Sequence, residues 1–553
     1  MEIRIECSSG KNSVLESTNR KVYSIPVGKK DAFVTLVFQL PLVNVQCHWN
    51  AKMFNGPEER LPWRIEQSFS FQDGSCFASF FNRQGENALS CGLLDFPGDV
   101  FFSALMNQEQ CTYDITWKIC FEEGYDKPKK LRFYLDETHH DWIDSLEEWR
   151  RKCVKETPKY PETAFDPVFC TWYAVHAAVT EKWCDKVAPF VRDLGFKTFI
   201  LDDGWCYDES KRVTPETLKD WYKWVGDWIV SKQKFPHFKE HVKRLQKLGL
   251  NYLVWVAPFL IGTKSALYAK LEAENALQGV LLEGHRLLNP ENPDACEAML
   301  ATLARLMKET GVDGLKVDFL DEVKSVEGAL RGEACRRFIT QLSARVRSIK
   351  SDALLEFRQA YTSMQMAPLA TQFRAGDAPF DFMTNFKRLG AIRLCMGDRV
   401  PVHADPAYWH PQESPEIISC HCIAMLLGVP MLSMDPKVMG KDAARIVRRW
   451  LAFYEAHRAT LNFGHWTIRY DNGQLRYASV SDGHEKIVIL ADSSFLLDSI
   501  APEGRKEHDT GILLNLASPI NEYGFFSDVE DCFGNALPDE EAPLVGGLAR
   551  YDI

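Results

Sequence analysis

The sequence has no run of 18 apolar residues, and its opening MEIRIECSSGKNSV lacks the apolar h-region of a secretory signal. A membrane span and export through a signal peptide are therefore not expected, and a cytoplasmic location is. No CxxC pair occurs among the 16 cysteines of the 553 residues, too sparse a set for a disulfide framework. Neither a phosphate-cradling P-loop nor a dinucleotide glycine fingerprint follows a strand pattern, so no nucleotide cofactor is expected. Basic residues are dispersed and the net charge is −11, which argues against nucleic acid and anionic membrane surfaces as partners. Low-complexity segments and internal repeats are absent. What remains is an ordinary globular composition, 46% hydrophobic and 25% charged, with 15 Trp and 34 Phe. At this length the chain predicts several domains rather than one core.

The first 150 or so residues alternate apolar and polar with period two. Tyr113, Ile115, Trp117, Ile119 and Phe121 are the clearest case, and DAFVTLVFQL is another. This predicts an N-terminal antiparallel β-sandwich over residues 1–155. Prolines 158, 161 and 167 break the pattern. From there eight apolar strand-type runs follow: PVFCTWYA, TFILDDGW, NYLVWVAPF, GLKVDFL, LLEFRQ, QFRAGD, PVHADP and IAMLLGVPML. Amphipathic helical stretches such as HFKEHVKRLQKLG and ACEAMLATLARLMKET lie between most of them. Eight such units predict a TIM (β/α)8 barrel over residues 165–460. Hairpin signals at Asp471-Asn472-Gly473 and Ser481-Asp482-Gly483 predict a small C-terminal antiparallel β domain over 465–553.

In such a barrel the reacting groups gather where the strands end. Here strand two closes on Asp202, Asp203 and Trp205, strand four on Lys316 and Asp318, strand six on Arg374 and Asp377, and strand seven on His403 and Asp405, while Trp172 and Trp255 close strands one and three. A buried carboxylate needs partners, so one such end could be structural. Four at one rim call for another reason. Two carboxylates facing one another across a sugar can break a glycosidic bond, one attacking the anomeric carbon and one protonating the leaving oxygen, with a separation of about 5 to 5.5 Å in retaining enzymes. Asp318 is the expected nucleophile, kept ionised by Lys316 two residues before it on the same strand face. Asp377 is the expected acid, its proton favoured by repulsion from Asp318. Arg374 would oppose that proton, and is therefore expected to contact substrate or another carboxylate. His403, Asp405 and His410 could form a metal site, but nothing supplies the paired histidines at strand one that metal-dependent barrel hydrolases usually need, and no metal is expected.

The segments LDDGW, GDW, KFP, WVAPF, GLKVDF, FRAGDAPF and VHADPAYW, in this order, resemble the melibiase-type retaining α-galactosidases of glycoside hydrolase family 36. The resemblance covers roughly residues 165–435. It implies Asp318 as nucleophile, Asp377 as acid/base, Asp202 and Asp203 as ligands of the sugar's C4 and C6 hydroxyls, Lys316 as a further hydroxyl contact, and Trp172, Trp205 and Trp255 as pocket walls. It also implies an oligosaccharide or other glycoside as substrate, and association of copies. The chain departs from the pattern after strand five, where Glu356-Phe357-Arg358-Gln359 replaces the Cys- or Gly-rich turn that lies near C2 in the family. WVAPFLIGTKS and the stretch from Arg358 to Asp377 are also similar to family 31 α-glucosidases and α-xylosidases. The same machinery on another sugar (α-N-acetylgalactosaminidase, α-glucosidase or α-xylosidase), galactosyl transfer, a sugar-binding pseudo-hydrolase and a metal-dependent barrel hydrolase remain the alternatives.

Overall fold

The computed structural model describes residues 1–18, 21–95, 98–154, 158–500, 510–517, 520, 526–538 and 543–551. The predicted end of the first domain at residue 155 lies outside them.

The period-two alternation becomes two antiparallel sheets. One has six strands in the order Ser13–Glu16, Glu2–Cys7, Phe33–Pro41, Thr112–Cys120, Asp99–Asn107 and Arg64–Ser70; the other has five, Val22–Pro26, Lys130–Asp136, Asn87–Leu93, Phe77–Phe81 and Cys47–Asn50. Tyr113, Ile115, Trp117 and Ile119 are fully buried between the sheets while Asp114, Thr116 and Lys118 face outward, as side chains alternating across a pleat must.

Eight parallel strands follow: β1 (Val168–Cys170), β2 (Thr198–Leu201), β3 (Asn251–Val256), β4 (Gly314–Val317), β5 (Leu354–Arg358), β6 (Gln372–Arg374), β7 (Val402–His403) and β8 (Met431–Leu432). They neighbour one another in sequence order, with β8 beside β1. Hydrogen bonds from Val429 N to Val402 O (2.7 Å) and from Ala404 N to Val429 O (3.1 Å) close the ring. Nearly every strand residue is buried, because helices cover the outside and side chains fill the inside. Among the described residues the β5–β6 connection has no α-helix, only a 3-10 turn at Gln359–Tyr361.

All eight strands are shorter than the runs that predicted them, and two of the runs turn α-helical. Most of IAMLLGVPML is not strand: residues 423–425 end the helix Pro415–Met425, whose N-cap Ser414 and N1 Pro415 set its start. A fully buried helix and a fully buried strand look alike in sequence. The chain likewise leaves β1 at Cys170, and Trp172 lies in a helical turn, Trp172–Val175.

The C-terminal sheet has six strands, and Asn472 and Gly473 both take positive φ in its first hairpin, as a type I′ turn requires. It departs from the purely antiparallel expectation at one pair, Glu485–Leu490 with Thr510–Asn515, which is parallel. The long connection between these strands, carrying the helix Leu496–Ile500, lets the chain return in the same direction. All sixteen cysteines are free. No helix among the described residues is long and apolar enough to cross a membrane.

Candidate active site

At the C-terminal ends of the barrel strands a cleft of about 60 Å³ is lined by Trp172, Asp202, Asp203, Tyr222, Trp255, Lys316, Asp318, Phe319, Arg358, Arg374 and Asp377. Roomier clefts exist, one of about 420 Å³ beside Asp398, His465 and Arg469. Their acids lie in partly exposed ion pairs, such as Asp398 with His465 at 2.9 Å, whereas the barrel cleft concentrates buried charge. Burial makes charge costly unless it is paired or used, so chemistry rather than volume marks the barrel cleft.

Asp318 follows the last residue of β4 and is buried. Its backbone N–H donates to Val256 O at 2.8 Å, which ties it to β3. Trp255 Nε1 donates to Oδ2 at 3.0 Å, and Phe319 N donates to Oδ1 at 3.0 Å. Phe319 does so from φ 57, a left-handed conformation costly for a bulky residue and found where function over-determines the backbone. Arg358, at the end of β5, places Nη1 3.2 Å from Asp318 Oδ1 and donates from Nη2 to Asp321 at 2.9 Å. Its guanidinium also lies 4.7 Å from the centre of the Phe319 ring. Burial alone would raise the Asp318 carboxyl, but Arg358, then Lys316 and Arg374, bring it down to about 2. The expected source of that charge was Lys316. Its ammonium instead pairs directly with Asp202 Oδ2 at 2.6 Å, and the neighbour of Asp318 is Arg358.

Asp202 and Asp203 lie just past the end of β2, so a loop rather than a strand aims both into the cleft. Cys170 Sγ donates to Asp202 Oδ2 at 3.2 Å. Trp221 Nε1 and Tyr207 OH donate to Asp203 Oδ2 at 2.7 and 3.2 Å, while Asp203 Oδ1 is buried without a partner. Burial, only partly offset by Trp221, pushes the Asp203 carboxyl up to about 6. Gly204 makes the turn possible: φ is +108, and a Cβ there would lie 2.6 Å from Ala177 Cα. Lys234, in the KFP segment, staples the loop by donating to the carbonyls of Ala177, Gly204 and Glu209 at 2.8, 2.9 and 2.5 Å.

Arg374 is buried and pairs with Asp405 at 2.5 Å, Asp377 at 3.0 Å and Glu356 at 3.4 Å. The expected contact with other carboxylates is present, but so is the contact with Asp377. Burial would raise Asp377, yet Arg374 wins and holds its carboxyl below the ordinary value, contrary to the expected proton. The Asp377 side chain is 59% exposed, at the mouth of the cleft.

Trp172 and Trp255 line the cleft; Trp205 does not. Trp205 is fully buried, donates from Nε1 to Trp255 O at 2.9 Å and stacks on Trp228 and Phe238, so it is core that supports the wall. Tyr222 and Phe319 are the aromatics that sequence reading missed. Tyr222 stacks on Trp255 at 6.4 Å and meets Phe319 edge-on at 5.4 Å. Arg358 was visible as the charged end of LLEFR, whereas nothing marks Tyr222, which comes from the long β2–β3 connection. At strand seven, His403 directs Nε2 to Ala164 O at 2.7 Å and His410 accepts from Gln412 N, away from Asp405. Among the described residues no three His, Cys, Asp or Glu side chains are grouped to hold a metal ion.

Fold and cleft define a (β/α)8 barrel flanked by two β domains, with several carboxylates lining one cleft at the strand ends. Comparison with known proteins narrows this. The melibiase family model matches residues 124–346. The α-galactosidase AgaA of Geobacillus stearothermophilus is 23% identical over 231 residues, 40% of this chain and 30% of that protein. The Escherichia coli α-galactosidase is 25% identical over 347 residues, 58% of this chain and 45% of that protein. The matched segments thus span less than half of these relatives' length. The galactosidase domain of the α-galactosidase-sucrose kinase AgaSK superposes with a TM-score of 0.66 at 11% identity, covering 100% of this chain and 88% of that one. The crystal structure of AgaA with raffinose gives 0.64 at 13% identity, with 100% and 89% covered. The likeness to glycoside hydrolase family 36 is carried by the family model, by curated relatives and by fold together.

Proposed function

We propose that the protein is a retaining α-galactosidase acting on terminal α-galactosides of oligosaccharides or other glycosides. The observation that carries this reading is Asp318, buried, held ionised by Arg358 and sharing one cleft with Asp377. In the first step an Asp318 carboxylate oxygen bonds to the anomeric carbon as the bond from that carbon to the departing oxygen breaks. Asp377 gives that oxygen its proton. In the second step Asp377 takes a proton from water, the water oxygen bonds to the anomeric carbon, and the ester to Asp318 breaks. Two inversions return the α anomer. Sugar covering the mouth removes water from the exposed Asp377, and this desolvation favours the protonated acid against the pull of Arg374. In this reading Asp202, Asp203 and Lys316 bind hydroxyls, and Trp172 and Trp255 pack on the sugar, which their shared place on the cleft supports. Sixteen unpaired cysteines support a reducing, cytoplasmic setting.

A second reading keeps the machinery and changes the sugar. Arg358 favours it: its guanidinium lines the cleft, and its segment is the one that, by the sequence resemblance, replaces the family's Cys- or Gly-rich turn near C2. A panel of aryl α-glycosides separates the two. Release from the galactoside, with none from the glucoside, xyloside or N-acetylgalactosaminide and no effect of chelator, is the expected result; preference for another glycoside would overturn the first reading. Asp318→Ala is expected to abolish turnover while galactose binding stays measurable.

A further inference from the structure

We propose that Asp405 is a positioning residue that sets how firmly Asp377 holds its proton, by drawing the shared guanidinium of Arg374 away from it. The proposal rests on the reading of Asp377 as acid/base.

Three acceptors surround Arg374 Nη1: Asp405 Oδ1 at 2.5 Å, Ala375 O at 2.9 Å and Asp377 Oδ1 at 3.0 Å. One Nη carries two hydrogens, so the acceptors compete. Asp405 holds the advantage in both distance and surroundings. It is fully buried while Asp377 is 59% exposed, and a pair out of water is screened less. Nor can Asp405 swing away. Its backbone N–H donates to Asn385 Oδ1 at 3.1 Å, and Asn385 Nδ2 donates to its carbonyl at 2.9 Å. Its other carboxylate oxygen accepts from Ala378 N at 2.7 Å and from Tyr173 OH at 3.2 Å. The Ala378 bond fixes the residue that follows Asp377, so one buried carboxylate anchors both the acid's loop and the acid's counter-ion.

The other charges around Asp377 stand apart from this competition. Asp318, Lys316 and Arg358 line the same cleft and act on it through space, and Arg388 donates to its backbone carbonyl. Glu356 also draws on Arg374, but at 3.4 Å and without a hydrogen bond. Neutralising Asp405 therefore does two things at Asp377 that act alike: it releases Arg374 to it and removes a nearby negative charge, and both favour the ionised acid. Burial pushes the Asp405 carboxyl up to about 7, so the competition acts above that pH; there, weakening the Tyr173 bond does the reverse, because an ionised Asp405 with fewer donors leans harder on Arg374.

The test is the pH profile of kcat on an aryl α-galactoside with a poor leaving group, because kcat reports the groups of the enzyme–substrate complex, in which sugar covers Asp377, and its high-pH limb reports loss of the acid's proton. Asp405→Asn is expected to move that limb down by about one pH unit, with the rate loss smaller on an activated aryl galactoside. Tyr173→Phe is expected to move it up. A uniform loss at every pH in Asp405→Asn, or a Tyr173→Phe limb that stays or moves down, would overturn the proposal. Should Asp405→Asn not fold, Tyr173→Phe decides alone. Asp377→Asn on the activated substrate separates the two ideas. If the high-pH limb persists in that variant, Asp377 is not the acid. If it vanishes there but does not move in the other two, only the role of Asp405 fails.

Discussion

Arg358 and Asp318 end neighbouring barrel strands with Nη1 and Oδ1 3.2 Å apart. The carboxylate is buried and the guanidinium is the cation in direct contact with it. A nucleophile that must be charged, in surroundings that disfavour charge, depends on this partner.

Replacing Arg358 with Ala is therefore expected to raise the Asp318 carboxyl from about 2. An opposite charge this close is worth roughly one to three pH units. Because the ionised form reacts, the low-pH limb of kcat/KM moves upward by that amount, and Arg358→Lys recovers part of the shift. An unmoved low-pH limb in Arg358→Ala would show that another group keeps Asp318 charged.

Asp203 titrates near 6, pushed up by burial, and has one buried oxygen without a partner. The ionised carboxylate accepts hydroxyl hydrogen bonds better than the neutral acid does. Galactose affinity, measured by calorimetry, is expected to rise with pH through 6. Asp203→Asn is expected to bind about tenfold or more weakly and to lose that pH dependence. A retained pH dependence would assign the titration to another group.

Trp205 and Trp255 are expected to fail differently. Truncating Trp205 to Ala should cost about 3 to 5 kcal/mol in denaturant unfolding, the usual cost for a buried aromatic, while Trp205→Phe leaves KM near wild type. Trp255→Phe keeps the fold and lowers kcat, because it deletes the indole donor to Asp318. A rise in KM for Trp205→Phe without loss of stability would restore Trp205 to the pocket wall.

The sandwich and the barrel meet at buried acids. Asp99 and Glu122 accept from the backbone N–H groups of Gly332 and Glu333, at the start of the barrel helix Gly332–Ile349. Burial pushes the Glu122 carboxyl up to about 7 from 4.5. Between these values the folded chain holds more proton than the unfolded one, so stability falls as pH rises through that window. Glu122→Gln is expected to flatten the fall and to melt higher than wild type at pH 8. Equal differences in Tm at pH 5 and pH 8 would show that Glu122 is not the titrating group.

Much of the architecture was legible in residue order because its signals are local. Alternation at Tyr113 to Ile119 needs only the pleat, Asn472-Gly473 needs only its own φ angles, and the strand ends at Asp202 and Asp318 need only an apolar run that stops. Where the signal was burial alone, as in IAMLLGVPML, helix and strand could not be told apart, and Trp205 read as pocket wall because a Trp at a strand end looks the same in core and in cleft.

Residue order by itself determined the three-part architecture, the strand ends that bear acids and the segments that resemble melibiase-type proteins. Tertiary structure alone decided which charge serves which: Lys316 goes to Asp202, Arg358 to Asp318, and Arg374 is divided between Asp377 and Asp405. The reason is that pairing strength depends on separation and on the water excluded between charges, and both are set only when residues far apart in the chain are brought to one rim.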